Sequence, residues 1–243
     1  NLQKVEIEFN KQKYSFTTNL IGKIQVNNLL FSILAASKSK IKFNKIIQSI
    51  SHIKPVEGRL ESVGNIRNNS KVILDYAHTP DALKYTLKSI KEQFSHSSIS
   101  IVFGCGGNRD KDKRPIMGKI ANQYCNKIFL TDDNPRYENP KKIRNQIKKK
   151  IVRSKLIEIA SRKKAIKTAI ENLNSGDILL VAGKGHEIYQ EYNGNKKIFS
   201  DKKYILKEIN LKNKKLFKNW KANILNEKCN LSSLNKKLKI NKA

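Results

Sequence analysis

Six consecutive residues, Thr131-Asp132-Asp133-Asn134-Pro135-Arg136, follow the apolar run Ile128-Phe129-Leu130. A strand ending in such a turn presents a carboxylate, an amide and a guanidinium together. Asp133 can accept from an ammonium, and Arg136 can grip a carboxylate through two parallel hydrogen bonds. That combination suits a small zwitterion. Taken alone it is an ordinary turn, because Asp, Asn and Pro are ordinary turn residues. Three further loops give it weight: Asp75-Tyr76-Ala77-His78-Thr79-Pro80-Asp81, Gly104-Cys105-Gly106-Gly107-Asn108-Arg109-Asp110 running on to Lys111, Lys113 and Arg114, and Gly183-Lys184-Gly185-His186-Glu187.

The groups sort by chemistry. Arg109 and Arg136 suit carboxylates or phosphates, since a guanidinium stays charged and forks. Asp133 and Glu187 suit ammonium groups. Asp75 closes an apolar strand, where it either meets a hydroxyl such as a ribose or caps a helix. His78 and His186 have the chemistry of general bases, although histidines in turns commonly serve as hydrogen-bonded scaffolding. Cys105 lies between glycines with no neighbouring histidine, which argues against a nucleophile. No G-x-x-x-x-G-K-[ST] phosphate loop occurs, and neither Gly104-Cys105-Gly106-Gly107 nor Gly183-Lys184-Gly185 substitutes for one.

Elements that would position these loops follow from periodicity. Apolar runs at Lys71–Asp75, Ser98–Gly104, Lys127–Thr131, Leu156–Ala160 and Asp177–Ala182 read as strands. Helical spacing appears between them at 80–94, 114–125, 140–152 and 162–173, with Thr79-Pro80-Asp81 as a helix start. The fold class is therefore α/β: a Rossmann-like, mostly parallel sheet with helices on both faces. Ligands collect at the carboxyl ends of such strands, where all four loops fall. Lys197–Ser200 is expected as an antiparallel edge strand, followed by a helix at 201–210. Upstream, 4–18 reads as a β-hairpin around Lys11-Gln12, with helices at 26–37 and 42–50. Pro55 and Gly58 place a domain boundary near residue 57, giving segments 1–57, 58–210 and a Lys/Asn-rich 211–243 expected to be weakly ordered.

Composition excludes several classes. The chain has 243 residues and a hydrophobic fraction of 38%, enough for a core, with no run long enough to span a membrane. Three cysteines show neither pairing logic nor metal-ligand spacing, which fits a reducing cytoplasmic setting. The net charge of +30 suggests a polyanion-binding module, but the lysines are spread throughout and aromatics are 7%. No nucleic-acid or membrane partner is expected. The only methionine is Met117, and the chain reads as a fragment.

The motifs together resemble the Mur ligases, in particular their diaminopimelate-adding members. The matching residues are Asp75 to Leu83, Phe103 to Gly107 with Arg109-Asp110-Lys111, Lys113-Arg114-Pro115, Asp133-Asn134-Pro135-Arg136 and Ala182-Gly183-Lys184-Gly185-His186-Glu187. Upstream, Leu20-Ile21-Gly22 with Asn28, and Pro55-Val56-Glu57-Gly58-Arg59, also match. The chain departs from the family at Gln25 and Asn108, where Asn and Asp are usual, and lacks the Glu usual near Lys164.

The resemblance implies an ATP-dependent amide ligase of peptidoglycan synthesis, monomeric and cytoplasmic. It joins meso-diaminopimelate to UDP-N-acetylmuramoyl-L-alanyl-D-glutamate. Residues 1–57 would be the end of the central ATP-binding domain and 58–210 the C-terminal domain. Arg109, Asp133, Asn134, Pro135, Arg136, Gly183 and Glu187 would bind diaminopimelate, while Asn28, Arg59 and Asp75 would face ATP. The phosphate loop and magnesium ligands would lie upstream, so this stretch would hold no catalytic or metal-binding residue. A lysine-adding or cyanophycin-synthetase-like ligase is the alternative within the superfamily.

Overall fold

The computed structural model describes residues 2–240, with side chains through residue 224. The chain opens with a hairpin of β1 (Gln3–Phe9) and β2 (Gln12–Thr18), in which Phe9 pairs with Gln12. Its two-residue loop is Asn10-Lys11, one position before the expected turn, and both residues have positive φ. That backbone matches the twist of the strands it joins. Helices α1 (Lys23–Ser37) and α2 (Phe43–Ser49) pack on it through Phe16, Leu29, Ile33 and Ile46.

From residue 61 the chain builds one six-stranded sheet. Its strands are β3 (Glu61–Ser62), β4 (Lys71–Asp75), β5 (Ile99–Phe103), β6 (Lys127–Leu130), β7 (Leu156–Glu158) and β8 (Ile178–Ala182), in the order β3-β4-β8-β5-β6-β7. All neighbours are parallel except β3, which runs antiparallel to β4. The intervening helices are α3 (Pro80–Gln93), α4 (Lys113–Tyr124), α5 (Pro140–Lys148) and α6 (Arg162–Glu171).

Strands buried on both faces read as near-continuous apolar runs, and β5 and β8, apolar but for Ser100, have no exposed residue. The pleat divides them. Ile178, Leu180 and Ala182 meet Leu83, Leu87, Met117 and Ile147 from α3, α4 and α5. Leu179 and Val181 meet Ala165, Ile166 and Ile170 of α6 and Ile205 and Ile209 of the last helix. Burying a side chain of this size contributes about 1.5–3 kcal/mol, so the two layers clamp the sheet and fix its rim.

Two expectations change. The strand expected at Lys197–Ser200 is instead β10 (Asn195–Ile198), which pairs only with β9 (Tyr189–Tyr192) in a separate hairpin. The reason is the Asn193-Gly194 turn, with φ of 47° and 74°, which returns the chain on itself. The antiparallel edge of the main sheet is β3. The last helix, α7 (Asp201–Ile240), also continues past residue 210. Side chains from 225 to 243, on which part of the expectation of weak order falls, lie outside the described residues.

Candidate functional site

Because β4, β8, β5 and β6 are adjacent and parallel, the loops leaving their carboxyl ends share one rim. They enclose a cleft of ≈ 490 Å³ lined by Tyr76, His78, Gly104, Arg109, Lys113, Asp133, Asn134, Arg136, Gly183 and Glu187, among others. Six of the seven residues expected to bind one ligand thus line one cavity. The seventh, Pro135, is buried beneath it.

Close backbone approach makes this possible. A Cβ at Gly107 would lie 1.9 Å from the Pro135 carbonyl oxygen, so only glycine lets the second and third loops touch. Gly183 has φ of 109°, and a Cβ there would come within 3.0 Å of the Asp133 carboxylate.

Arg136 is constrained through both its backbone and its side chain. Its backbone is left-handed, with φ of 52°, a conformation costing a non-glycine residue about 1–3 kcal/mol. The β9–β10 hairpin holds it there: Arg136 N donates to the Glu191 carbonyl at 3.1 Å, and Asn193 N donates to the Arg136 carbonyl at 2.7 Å. Nη1 donates to the Gly107 carbonyl at 2.9 Å, and Nε lies 3.4 Å from Glu191. Nη2 then has no protein acceptor among the described residues. Arg109, by contrast, is exposed and forms no ion pair or side-chain hydrogen bond among them.

The acidic side is cross-braced. Lys184, wholly buried, donates from Nζ to Glu187 Oε2 at 2.8 Å and to Asn134 Oδ1 at 2.9 Å. Asn134 Nδ2 donates to the same Glu187 oxygen at 3.0 Å, leaving Oε1 for a ligand. Gln190 Nε2 donates to the Asp132 and Asp133 carbonyls. Asp132 turns away from the cleft to Arg144, and burial pushes its carboxyl up against the pull of that guanidinium.

Behind the second loop, buried Arg114 forks onto Glu138 at 2.9 Å from both Nη atoms and reaches the Gly106 carbonyl at 3.1 Å. The Arg114 hydrogen bonds hold the Glu138 carboxyl down to about 2. Cys105 lies buried beside Met117, and burial pushes its thiol up to about 12, far from a thiolate nucleophile.

The three residues expected to face ATP do not line the cleft. Asp75 accepts from Leu60 N at 2.7 Å, Ala77 N at 2.8 Å and Thr86 Oγ1 at 3.2 Å, and burial pushes its carboxyl up. Arg59 lies over the Tyr76 ring, 4.5 Å from its centroid, at the cleft's edge. Asn28 is exposed on α1. Of the departures from the family pattern, Gln25 donates to the Arg59 carbonyl and Asn108 accepts from Tyr137 N.

Sequence reasoning missed Lys184, Glu191 and the hairpin that carries Glu191. The Asn193-Gly194 dipeptide signalled the hairpin. Nothing in the sequence signalled that Lys184 would point inward.

A family model described as the Mur ligase glutamate ligase domain matches residues 58–185. UDP-N-acetylmuramoyl-L-alanyl-D-glutamate--2,6-diaminopimelate ligase of Rickettsia felis is 44% identical over 87% of this chain and 39% of its own length. The enzyme of that name from a Chelativorans species is 43% identical over 82% and 41%. This chain therefore spans about two fifths of such relatives. A solved structure of a ligase with the same name superposes with a TM-score of 0.67 at 33% identity, covering 87% of this chain and 44% of that one. A UDP-N-acetylmuramate-alanine ligase from Thermotoga maritima, 18% identical with a TM-score of 0.59, shares the fold. With more than half its length matched to one domain and the four loops of that domain closing on one cleft, the chain belongs to the Mur ligase family.

Proposed function

We propose that this chain is the amino-acid-delivering part of an ATP-dependent ligase that adds meso-diaminopimelate to UDP-N-acetylmuramoyl-L-alanyl-D-glutamate in cytoplasmic peptidoglycan synthesis. The observation that carries the reading is one cleft lined together by a braced Arg136, Arg109, Asp133, Asn134 and Glu187. Diaminopimelate is a zwitterion at both ends. Its carboxylates meet Arg136 and Arg109, while an ammonium meets Asp133 or the open oxygen of Glu187. Lysine lacks one carboxylate and would leave the guanidinium unmatched, so a site built this way rejects it. The same names given to relatives at 43–44% identity support this choice of substrate.

The contribution of these residues to the reaction is orientation. Gripping both ends of the amino acid holds its amine at a set distance and angle from an activated carboxylate, which turns a bimolecular encounter into a local one. ATP would supply the activation. Arg59 and Asn28 offer exposed polar ends toward a nucleotide, with Asp75 bracing Leu60 and Ala77 from within. Among the described residues no group of three or more His, Cys, Asp or Glu is placed to hold a metal ion.

The test is ATP-dependent amide formation by the complete protein with diaminopimelate and with lysine as competing amines. Diaminopimelate should be used at least about 100-fold better in kcat/KM, the discrimination expected where a fixed polar partner goes unmatched. Arg136→Ala should remove that preference. Equal use of both amines by the unsubstituted protein contradicts the assignment and favours a lysine-adding or other ligase of the superfamily.

A further inference from the structure

A second layer of charge lies behind the acidic wall of the cleft. Arg162, at the start of α6, is buried together with Asp201, at the start of α7. Its Nε donates to Asp201 Oδ1 at 2.8 Å, and Nη2 donates to Asp201 Oδ2 at 2.7 Å and to the Ala182 carbonyl at 2.9 Å. Nη1 has no hydrogen-bond partner among the described residues. It sits 3.9 Å from Asp133 Oδ2.

A guanidinium is planar and rigid. Once two of its nitrogens are locked on Asp201, the direction of Nη1 is set, and it points at the back of Asp133. Asp133 in turn makes no other side-chain contact with a donor among the described residues, and a Cβ at Gly183 would come within 3.0 Å of the same carboxylate oxygen. Burial disfavours the charge of Arg162, and Asp201, Asp133 and Glu187 together restore it. The cation is thus shared between a structural anchor and the cleft.

We infer that Arg162 is a positioning residue for the amino-acid substrate: from beneath the cleft it fixes the Asp133 carboxylate so that its free lone pairs face the ligand's ammonium. The inference rests on reading the cleft as a diaminopimelate site. A merely structural Arg162 would support the sheet and α7 without acting through Asp133.

The two roles separate in a double-mutant cycle on the complete protein, read as KM for diaminopimelate. Arg162→Lys keeps the charge and loses the fork. It should raise that KM about tenfold, with kcat and the KM for ATP changed no more than about twofold. Combined with Asp133→Asn, it should add nothing beyond Asp133→Asn alone, since coupled residues are not additive. Additive losses, or an unchanged KM in Arg162→Lys, would overturn the inference while leaving the cleft's assignment intact. An unsubstituted protein with no diaminopimelate-dependent rate would overturn both. If Arg162→Lys fails to fold, the unsubstituted protein labelled with ¹⁵N-arginine gives the answer. The Nη resonance of Arg162 should shift on titration with diaminopimelate and stay in place with ATP. A signal indifferent to diaminopimelate would overturn the inference.

Discussion

The two arginines of the cleft carry the same charge in opposite mechanical states. Arg136 is held by a left-handed backbone, two main-chain hydrogen bonds to the β9–β10 hairpin, the Gly107 carbonyl and Glu191. Its neighbour Arg109 is exposed and unbraced among the described residues. Its loop is anchored through other residues: by Arg114 on Glu138, by Lys113 Nζ on the His78 carbonyl and by Gly107 N on the Asn134 carbonyl. A braced fork loses little conformational entropy when a ligand arrives and punishes one that does not match. A free side chain must be ordered at that moment, at about 0.5–1.5 kcal/mol for a rotamer-rich group. On the proposed function, the braced arginine specifies and the loose one captures.

The strongest break in that contrast is at Arg136. Removing a charge-assisted hydrogen-bond partner costs about 2–3 kcal/mol, so Arg136→Ala should raise KM for diaminopimelate on the order of 100-fold. Arg136→Lys should recover little, because an ammonium cannot fork. Arg109→Ala should cost only about tenfold. That cost should shrink further as salt rises, since an exposed charge is screened over about 10 Å at 0.1 M. If the two substitutions cost the same, the two arginines are not different in kind. These effects appear in steady-state kinetics of the complete protein.

A smaller effect sharpens the contrast from behind the second loop. Glu138 titrates at about 2 in the fold against an ordinary value of 4.5. A carboxyl held down in this way stabilises the fold fully above pH 4.5 and loses that contribution as pH falls toward 2. Glu138→Gln should therefore lower stability by about 1 kcal/mol at pH 7, with the gap to the parent closing as pH drops through that window. Urea unfolding at several pH values reads this out. A gap independent of pH would mean that the pair with Arg114 contributes shape and not charge.

Much of this arrangement was legible in the sequence because it is local. Runs such as Ile99–Phe103 and Ile178–Ala182, separated by helical spacing, leave few topologies other than a parallel sheet, and such a sheet gathers its strand-end loops. What escaped was long-range. The pairing of Arg162 with Asp201 spans 39 residues and that of Lys184 with Asn134 spans 50. One clue did exist: an arginine at the start of α6 faces the positive end of the helix dipole, which a cation tolerates only with a strong partner. The β9–β10 hairpin escaped for a different reason. Its Asn193-Gly194 signal was present, but an apolar stretch beside a sheet was read as part of that sheet, when Arg136 had already engaged the hairpin's backbone.

The claim on which the account turns is that the cleft is shaped for a small molecule charged at both ends. Titration calorimetry on this chain, with diaminopimelate and lysine as alternative ligands, reads that claim without requiring turnover. Diaminopimelate should bind at least about tenfold more tightly than lysine, as one added charged contact provides, and Arg136→Ala should bring the two to parity. Equal heats and affinities for both ligands in the unsubstituted chain would contradict it.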